Sequence, residues 1–311
     1  MKNYFSVMLG KQSSHAAQCF QEGFIGIDND INQDLTLKLP EEWREFNKEF
    51  IPVFLAARPG KSKIAAGLAC AAVWGVSKYI KKGDIVICPD GDDVYWVGEV
   101  TGDYYYNATG PLPHRRRVKW FEQKINRTDM SDALKRSTRS TGTVCDISRY
   151  NTEIEKFLAG SSSPAIIIND PTIEDASAFA MEKHLEDFLV ENWTQTELGK
   201  EYDIFEVDGE SVGQQYSTME MGIIDILAIS KNKKTFLVVE LKRGRVSDTV
   251  VGQTLRYMGY VKEQLAEDGQ TVKGAIIALE DDPRTRSALV MVPNIQFYKY
   301  QVSFKLQKIS G

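Results

Sequence analysis

The chain is poor in the residues that build metal clusters and disulfide frameworks. Its 311 residues include only four cysteines, Cys19, Cys70, Cys88 and Cys145, and three histidines, with no C-x-x-C pair. That usage argues against a zinc cluster and a disulfide-stapled fold, and the cysteines read as reduced and mostly buried. Long apolar runs are missing as well: there is no stretch of about 18 apolar residues and no apolar N-terminal segment behind a basic one. Neither a membrane span nor a signal peptide is expected, and the expected location is cytoplasmic. Excess positive charge is also absent. A formal net charge of −5 argues against coating nucleic acid by bulk electrostatics but leaves room for a local basic groove. A phosphate-binding loop is hinted at by RPGKSK, Arg58–Lys63, yet Leu55 stands where such a loop needs glycine, so ATP or GTP hydrolysis is not expected.

What is present is the composition of a folded protein, 42% hydrophobic and 26% charged, with length enough for two cores. In the first half, Tyr4 to Val7, Phe24 to Ile27, Asp84 to Cys88, Tyr95 to Val100 and Val118 to Phe121 are β-branched and aromatic runs bounded by Gly, Pro and Asp, which predicts strands. Lys63 to Tyr79 is Ala-rich and long enough for a buried helix. A small β-barrel with packed helices fits this order. After Tyr150 one short helical stretch leads into AGSSSP, Ala159 to Pro164, whose small polar residues suit an exposed connection. The expected division is 1–158, a linker at 159–165, and 166–311. The second part predicts helix Ala176–Asn192, strands Ile204–Val207, Gly222–Ser230 and Thr235–Leu241, helix Thr249–Leu265, strand Ala275–Ala278, helix Asp282–Met291, and strands near Ile295 and Val302. That order is an α/β domain, a mixed sheet flanked by helices.

The chemistry concentrates in two neighbouring strands of the second part. In GIIDILAIS, Asp225 interrupts an apolar strand, and an ionised carboxylate is costly to bury without a partner or a cation. The next strand, TFLVVELKRG, ends its apolar run with Glu240 and Lys242, which strand alternation puts on one face. A short turn, Lys231 to Lys234, makes the pair a hairpin and can bring Asp225 beside Glu240. Two adjacent carboxylates repel, and a hard divalent cation, Mg²⁺ or Mn²⁺, is the natural resolution, with the Leu241 carbonyl as a further oxygen ligand. Lys242 would then orient water or offset charge developing on a phosphoryl group.

Gly-x-x-Asp followed by Glu-x-Lys on a hairpin resembles the PD-(D/E)XK nuclease superfamily. The longer stretch from GIIDILAIS through VVELKRGRVSDTVVGQTLRYMGYV resembles the catalytic domain of the NucS/EndoMS endonucleases. The resemblance implies a PD-(D/E)XK fold for the C-terminal domain and a catalytic set of Asp225, Glu240 and Lys242. It further implies an acidic helper on the preceding helix, matched to Glu182 with Glu186 one turn on as competitor, and a helix glutamine, Gln253, against the site. Nucleic-acid contacts follow by the same analogy at Arg256 and Tyr257; Arg243 and Arg245 are further candidates, balanced against ordinary solvated charges.

In the N-terminal half, GDIVI, the Y-x-V-G-E-V-x-G-x-Y pattern and H-R-R-x-V-x-W resemble the N-terminal modules of Mrr-like restriction proteins, which are similar to PUA-like or EVE-like barrels. Such a module implies an aromatic pocket for a flipped base, with Trp74, Trp96, Tyr104, Tyr106 and Trp120 as candidates. Arg115, Arg116, Arg117 and Lys119 are candidates for phosphate contacts, and His114 reads as structural. The expected function is a metal-dependent DNA endonuclease that restricts modified foreign DNA as a homodimer, since one such site cuts one strand. The alternatives are a NucS-like repair endonuclease acting on mismatched or branched DNA, and a non-catalytic nucleic-acid or ligand-binding protein.

Overall fold

The computed structural model describes residues 2–138, 143–159, 185–207, 209–218, 221–245 and 249–301. In chain order the first half runs β1 (Tyr4–Val7), α1 (Ala16–Glu22), β2 (Phe24–Ile27), α2 (Trp43–Ala57), α3 (Lys63–Trp74), β3 (Ile85–Pro89), β4 (Val94–Tyr106), β5 (His114–Asn126), α4 (Asp132–Ser137), β6 (Val144–Asp146) and α5 (Asn151–Leu158). The second half follows with helical residues 185–191 (α6), α7 (Glu197–Glu201), β7 (Tyr202–Ile204), β8 (Glu206–Val207), β9 (Glu210–Ser211), β10 (Gln214–Ser217), β11 (Ile223–Ser230), β12 (Thr235–Arg245), α8 (Thr249–Gln264), β13 (Thr271–Glu280), α9 (Pro283–Val290) and β14 (Ile295–Lys299). The predicted linker from residue 160 on, the start of the helix expected from Ala176 and the strand expected near Val302 lie outside the described residues.

The first sheet has six strands in the order β2-β5-β4-β3-β1-β6. It does not close into the expected barrel: among the described residues β2 and β6 are its two edges. Helices cover both faces instead. α1, α2 and α3 pack on one apolar cluster, which includes Phe5, Phe24 and Val100, while Ile85, Ile87, Val97 and Ile125 face α4 and α5 through Leu134 and Ile154. A sheet so covered keeps its apolar sides dry without closure.

α2 was not among the helices expected, and Pro52 stands in its interior. The proline costs about 3 kcal/mol of helix, but Trp43, Phe46, Phe50, Ile51 and Phe54 recur at helical spacing and are all buried. At about 1.5–3 kcal/mol for each large side chain, that burial wins. The single helix expected over Lys63–Tyr79 changes character at Gly75 into a wider π turn, Gly75–Tyr79. The carbonyls this turn exposes are taken by Arg116, whose Nε donates to Val76 O (2.6 Å) and whose Nη2 donates to Ser77 O (2.9 Å). At the start of α3, Ser62 of the RPGKSK segment accepts from the Ala65 N–H, the ordinary work of an N-cap.

The second sheet runs β10-β11-β12-β13-β14, with β7 also paired to β11. β11 and β12 are antiparallel, whereas β13 and β14 run parallel to β12, so the sheet is mixed as expected. One face packs on α8 through Leu227, Phe236, Val238 and Val261; the other buries Ile226, Val239 and Leu241 with Trp193 and Tyr202. The two halves touch. Arg44 of α2 pairs with Glu263 of α8 at 2.6 Å, and Asn47 Nδ2 donates to Gln264 Oε1, also at 2.6 Å. Their apolar clusters are continuous. No helix among the described residues is long and apolar enough to cross a membrane.

Candidate active site

The register of the β11–β12 hairpin pairs Ile229 with Phe236, Leu227 with Val238 and Ile226 with Val239. Continued by one residue, it sets Asp225 opposite Glu240. The ladder ends at Ile226, and beyond it Asp225 Oδ2 accepts the N–H of Leu241 at 2.9 Å. A carboxylate therefore takes over a strand donor at the point where the hairpin opens. Asp225, Glu240 and Lys242 share the face that turns toward α8, at the end of the apolar stripe formed by Leu227, Phe236 and Val238.

Burial grades the three groups. Glu240 is 1% exposed, whereas Asp225 is half-buried. Lys242 Nζ lies 4.0 Å from Glu240 Oε2, with a third of its side chain reaching solvent. After Lys242 the register with β13 slips before Arg245, an irregularity that ends the regular ladder beside the site. From α8, Tyr257 presents its phenol to the carboxylates. Burial, with Glu240 and Asp225 adding to it, raises the Tyr257 pKa, so its hydroxyl stays protonated. Gln253, one helical turn earlier, donates to that hydroxyl at 3.4 Å. The hydroxyl also depends on Gly222, where a Cβ would stand 2.6 Å from it.

A further carboxylate on α6 is tied to β10, the strand next to β11. Glu182 lies outside the described residues, but Glu186, its competitor, is buried and accepts from Gln214 Nε2 at 2.8 Å and from Gln215 Nε2. Gln215 in turn accepts from Arg149 Nη1 at 2.6 Å. Arg149, Gln214 and Gln215 were not foreseen in the sequence; none belongs to a local pattern, and Arg149 precedes Gln215 by 66 positions.

The donor set is all oxygen: two side-chain carboxylates and the Leu241 carbonyl within reach of the same strand end. Among the described residues no group of three or more His, Cys, Asp and Glu side chains converges as a closed metal cage. Open carboxylate sites of this chemistry suit Mg²⁺ or Mn²⁺, which keep several of their own waters. Of the residues expected to meet nucleic acid, Arg256 is exposed on α8 and Tyr257 is buried under the carboxylates. Arg243 and Arg245 lie in β12, and their side chains are outside the described set.

The N-terminal candidates do not converge. Trp74 is core, packed against Trp43 and Phe46. Trp96 is stacked on Phe20 at 4.3 Å, and Trp120 meets the same ring edge-on while its Nε1 donates to Cys19 O. Tyr104 and Tyr106 gather instead around His114. His114 is fully buried, and because the Ile31 carbonyl 2.7 Å from Nε2 can only accept, Nε2 carries the proton and Nδ1 accepts from the Tyr104 hydroxyl at 2.9 Å. Arg115 is buried as well: its Nε and Nη2 donate to the carbonyls of Leu112 and Pro111, and its guanidinium lies 3.9 Å over the Phe24 ring. With Arg116 on the π turn, only Arg117 and Lys119 of the basic run face solvent.

Comparison with known proteins matches the two halves of the chain to separate families. Residues 181–301 match the family described as the endonuclease NucS C-terminal domain. The C-terminal half carries a NucS-like nuclease domain. Residues 5–148 match a domain of unknown function, DUF8426; the PUA-like or EVE-like character expected there is not shown. A search of curated proteins finds no match. Among solved structures, a repair endonuclease from Pyrococcus abyssi is similar at 15% identity and a TM-score of 0.30, over 68% of this chain and 66% of that one. An EndoMS–double-stranded DNA complex is similar at 13% identity and a TM-score of 0.31, over 70% of this chain and 68% of the other. The chain thus spans about two thirds of the length of these structures. The nuclease assignment rests on the match over 181–301 and on the geometry of the hairpin.

Proposed function

We propose that this protein is a metal-dependent DNA endonuclease whose reaction is carried by Asp225, Glu240 and Lys242. The observation that supports it best is the placement of Asp225 opposite Glu240 at the open end of the hairpin, with Lys242 on the same face, inside a domain of the NucS type. Asp225 and Glu240, with the Leu241 carbonyl, would hold the divalent cation. When bound there, such a cation supplies Lewis-acid polarisation of a phosphoryl oxygen and a lowered pKa for a coordinated water.

The side chains divide the remaining work. Asp225, fixed by the Leu241 N–H, gives one oxygen to the strand and leaves the other for the cation. Glu240, buried under α8, cannot swing away. Lys242, beside Glu240, offsets negative charge as it builds on the phosphoryl oxygens. Tyr257 holds its proton and donates into the same space, steadied by Gln253. Arg256, exposed on α8, and Arg117 and Lys119 on the first sheet are the cations available to the DNA backbone.

For the substrate, a repair-type nuclease acting on mismatched or branched DNA is better supported than restriction of modified DNA. The family match favours the first, and the second loses its physical basis when the aromatic candidates are already stacked on or bonded to protein. Purified protein with Mn²⁺ or Mg²⁺ should be given plain, mismatched, flapped and base-modified duplexes of one sequence. Preferential cutting of mismatched or flapped DNA is the expected result. Preference for modified duplex would replace this reading with restriction, and no cutting of any substrate with either metal would contradict the nuclease assignment.

A further inference from the structure

The N-terminal half reaches into the nuclease site through one side chain. Arg149 sits in the short turn Ser148–Tyr150, which follows β6 and is tied to β1: Ser148 Oγ accepts the Tyr4 N–H at 2.9 Å, the Tyr150 N–H goes to Ile147 O, and Tyr150 is buried with its hydroxyl 2.9 Å from Ser137 Oγ. From that anchored turn the guanidinium crosses to the second half and donates to Gln215 Oε1 at 2.6 Å. Gln215 passes the contact on, since its Nε2 donates to Glu186. Two features mark Gln215 as held for a purpose. It lies within β10 between Gln214, paired with Ile226, and Tyr216, paired with Ile224, which puts it alongside Asp225. It also has φ of 52°, a left-handed backbone that a non-glycine residue adopts inside a strand only when its surroundings impose it.

We propose that Arg149 is a positioning residue supplied by the N-terminal domain: through Gln215 it fixes Glu186 at the edge of the carboxylate site and sets a permanent positive charge beside Asp225. This deepens the nuclease reading and rests on it. The electrostatics agree with the geometry. Burial works against the charge of Arg149, but Tyr150, Asp225, Glu186 and Tyr257 outweigh it and hold the guanidinium above its ordinary range. Two consequences follow. The fixed charge repels a second cation, so divalent binding is weaker than the carboxylates alone would give. The Arg149–Gln215–Glu186 chain also makes the geometry of the site depend on the first domain being docked.

The test separates charge from position. Mn²⁺ binding is measured by titration calorimetry on full-length wild type, Arg149→Met, Arg149→Lys and Gln215→Asn, alongside kcat and KM for DNA cleavage. Arg149→Met should bind Mn²⁺ roughly tenfold more tightly, the size of a unit charge acting on a dication across several ångströms of partly wet protein, while kcat falls. Arg149→Lys keeps the charge and should return Mn²⁺ affinity to the wild-type value, yet recover kcat only in part, because an ammonium lacks the guanidinium fork. Gln215→Asn tolerates the left-handed backbone but is too short to bridge, so it should lower kcat with Mn²⁺ affinity changed less than twofold; it also serves if Arg149→Met does not fold. Unchanged Mn²⁺ affinity and unchanged kcat in folded Arg149→Met, or unchanged kcat in Gln215→Asn, would overturn the proposal. Failure of the nuclease reading has a different signature: wild type and Asp225→Asn would then bind Mn²⁺ equally poorly.

Discussion

Two antiparallel hairpins, β4–β5 in the first sheet and β11–β12 in the second, carry dense charge at neighbouring positions and use it in opposite ways. In β4–β5 the cations Arg115 and Arg116 turn inward, and their guanidinium groups are taken up by backbone carbonyls of loops and a π turn. In β11–β12 two carboxylates come together at the open end of the ladder, Asp225 accepting the Leu241 N–H and Glu240 lying beside Lys242. The first hairpin places its cations on carbonyls of its own fold, while the second gathers two carboxylates with Lys242 at one strand end. The first hairpin is architecture; the second is the candidate site.

The sharpest way to break this contrast is to remove charge from each hairpin in turn. Glu240→Gln should lower DNA cleavage by at least about 10²-fold with little loss of stability, because a like-charged neighbour is relieved; a nicking assay beside a thermal melt reads both. Arg116→Met should do the reverse. It strands the carbonyls of Val76 and Ser77 in the core, at a cost of about 2–3 kcal/mol, and denaturant unfolding should show it while cleavage by the folded fraction stays unchanged.

Smaller changes sharpen the comparison. Gly222→Ala forces a side chain onto a residue with φ of 108° and within 2.6 Å of the Tyr257 hydroxyl. It should cost about 1–3 kcal/mol and reduce cleavage by displacing Tyr257, both measurable on one preparation. The smallest effect is a pH dependence in the first domain. Burial lowers the His114 pKa below its ordinary 6.5, so the unfolded chain takes up a proton that the folded chain refuses. The stability His114 contributes is complete above that range and is lost as pH falls through the depressed value. The gap in unfolding free energy between wild type and His114→Gln should therefore be widest near pH 8 and narrow toward pH 5.

The candidate site was more legible in the sequence than the fold around it, for a physical reason. Alternation along a strand decides which side chains share a face, so Glu240 and Lys242 could be placed together from spacing, and pairing across the short turn at Lys231–Lys234 could bring Asp225 beside Glu240. No such rule connects Arg149 to Gln215; that contact exists only because α2 and α8 bring the halves together, and α2 itself was not among the helices expected. Strand positions in the first half were equally clear, yet closure of a sheet is decided by its edge strands, and β2 and β6 stay apart. The basic run His114–Lys119 shows the limit of counting charges: Arg115 and Arg116, on opposite faces of β5, are both buried, while Arg117 and Lys119 are exposed.

The most direct test of the central claim is cleavage of a mismatched duplex in Mn²⁺ by wild type and by Asp225→Asn at matched thermal stability. The amide is nearly isosteric and can still accept the Leu241 N–H, so the fold of the hairpin should survive while its charge does not. Cutting by wild type alone is the predicted result; equal cutting by both proteins would place the chemistry elsewhere.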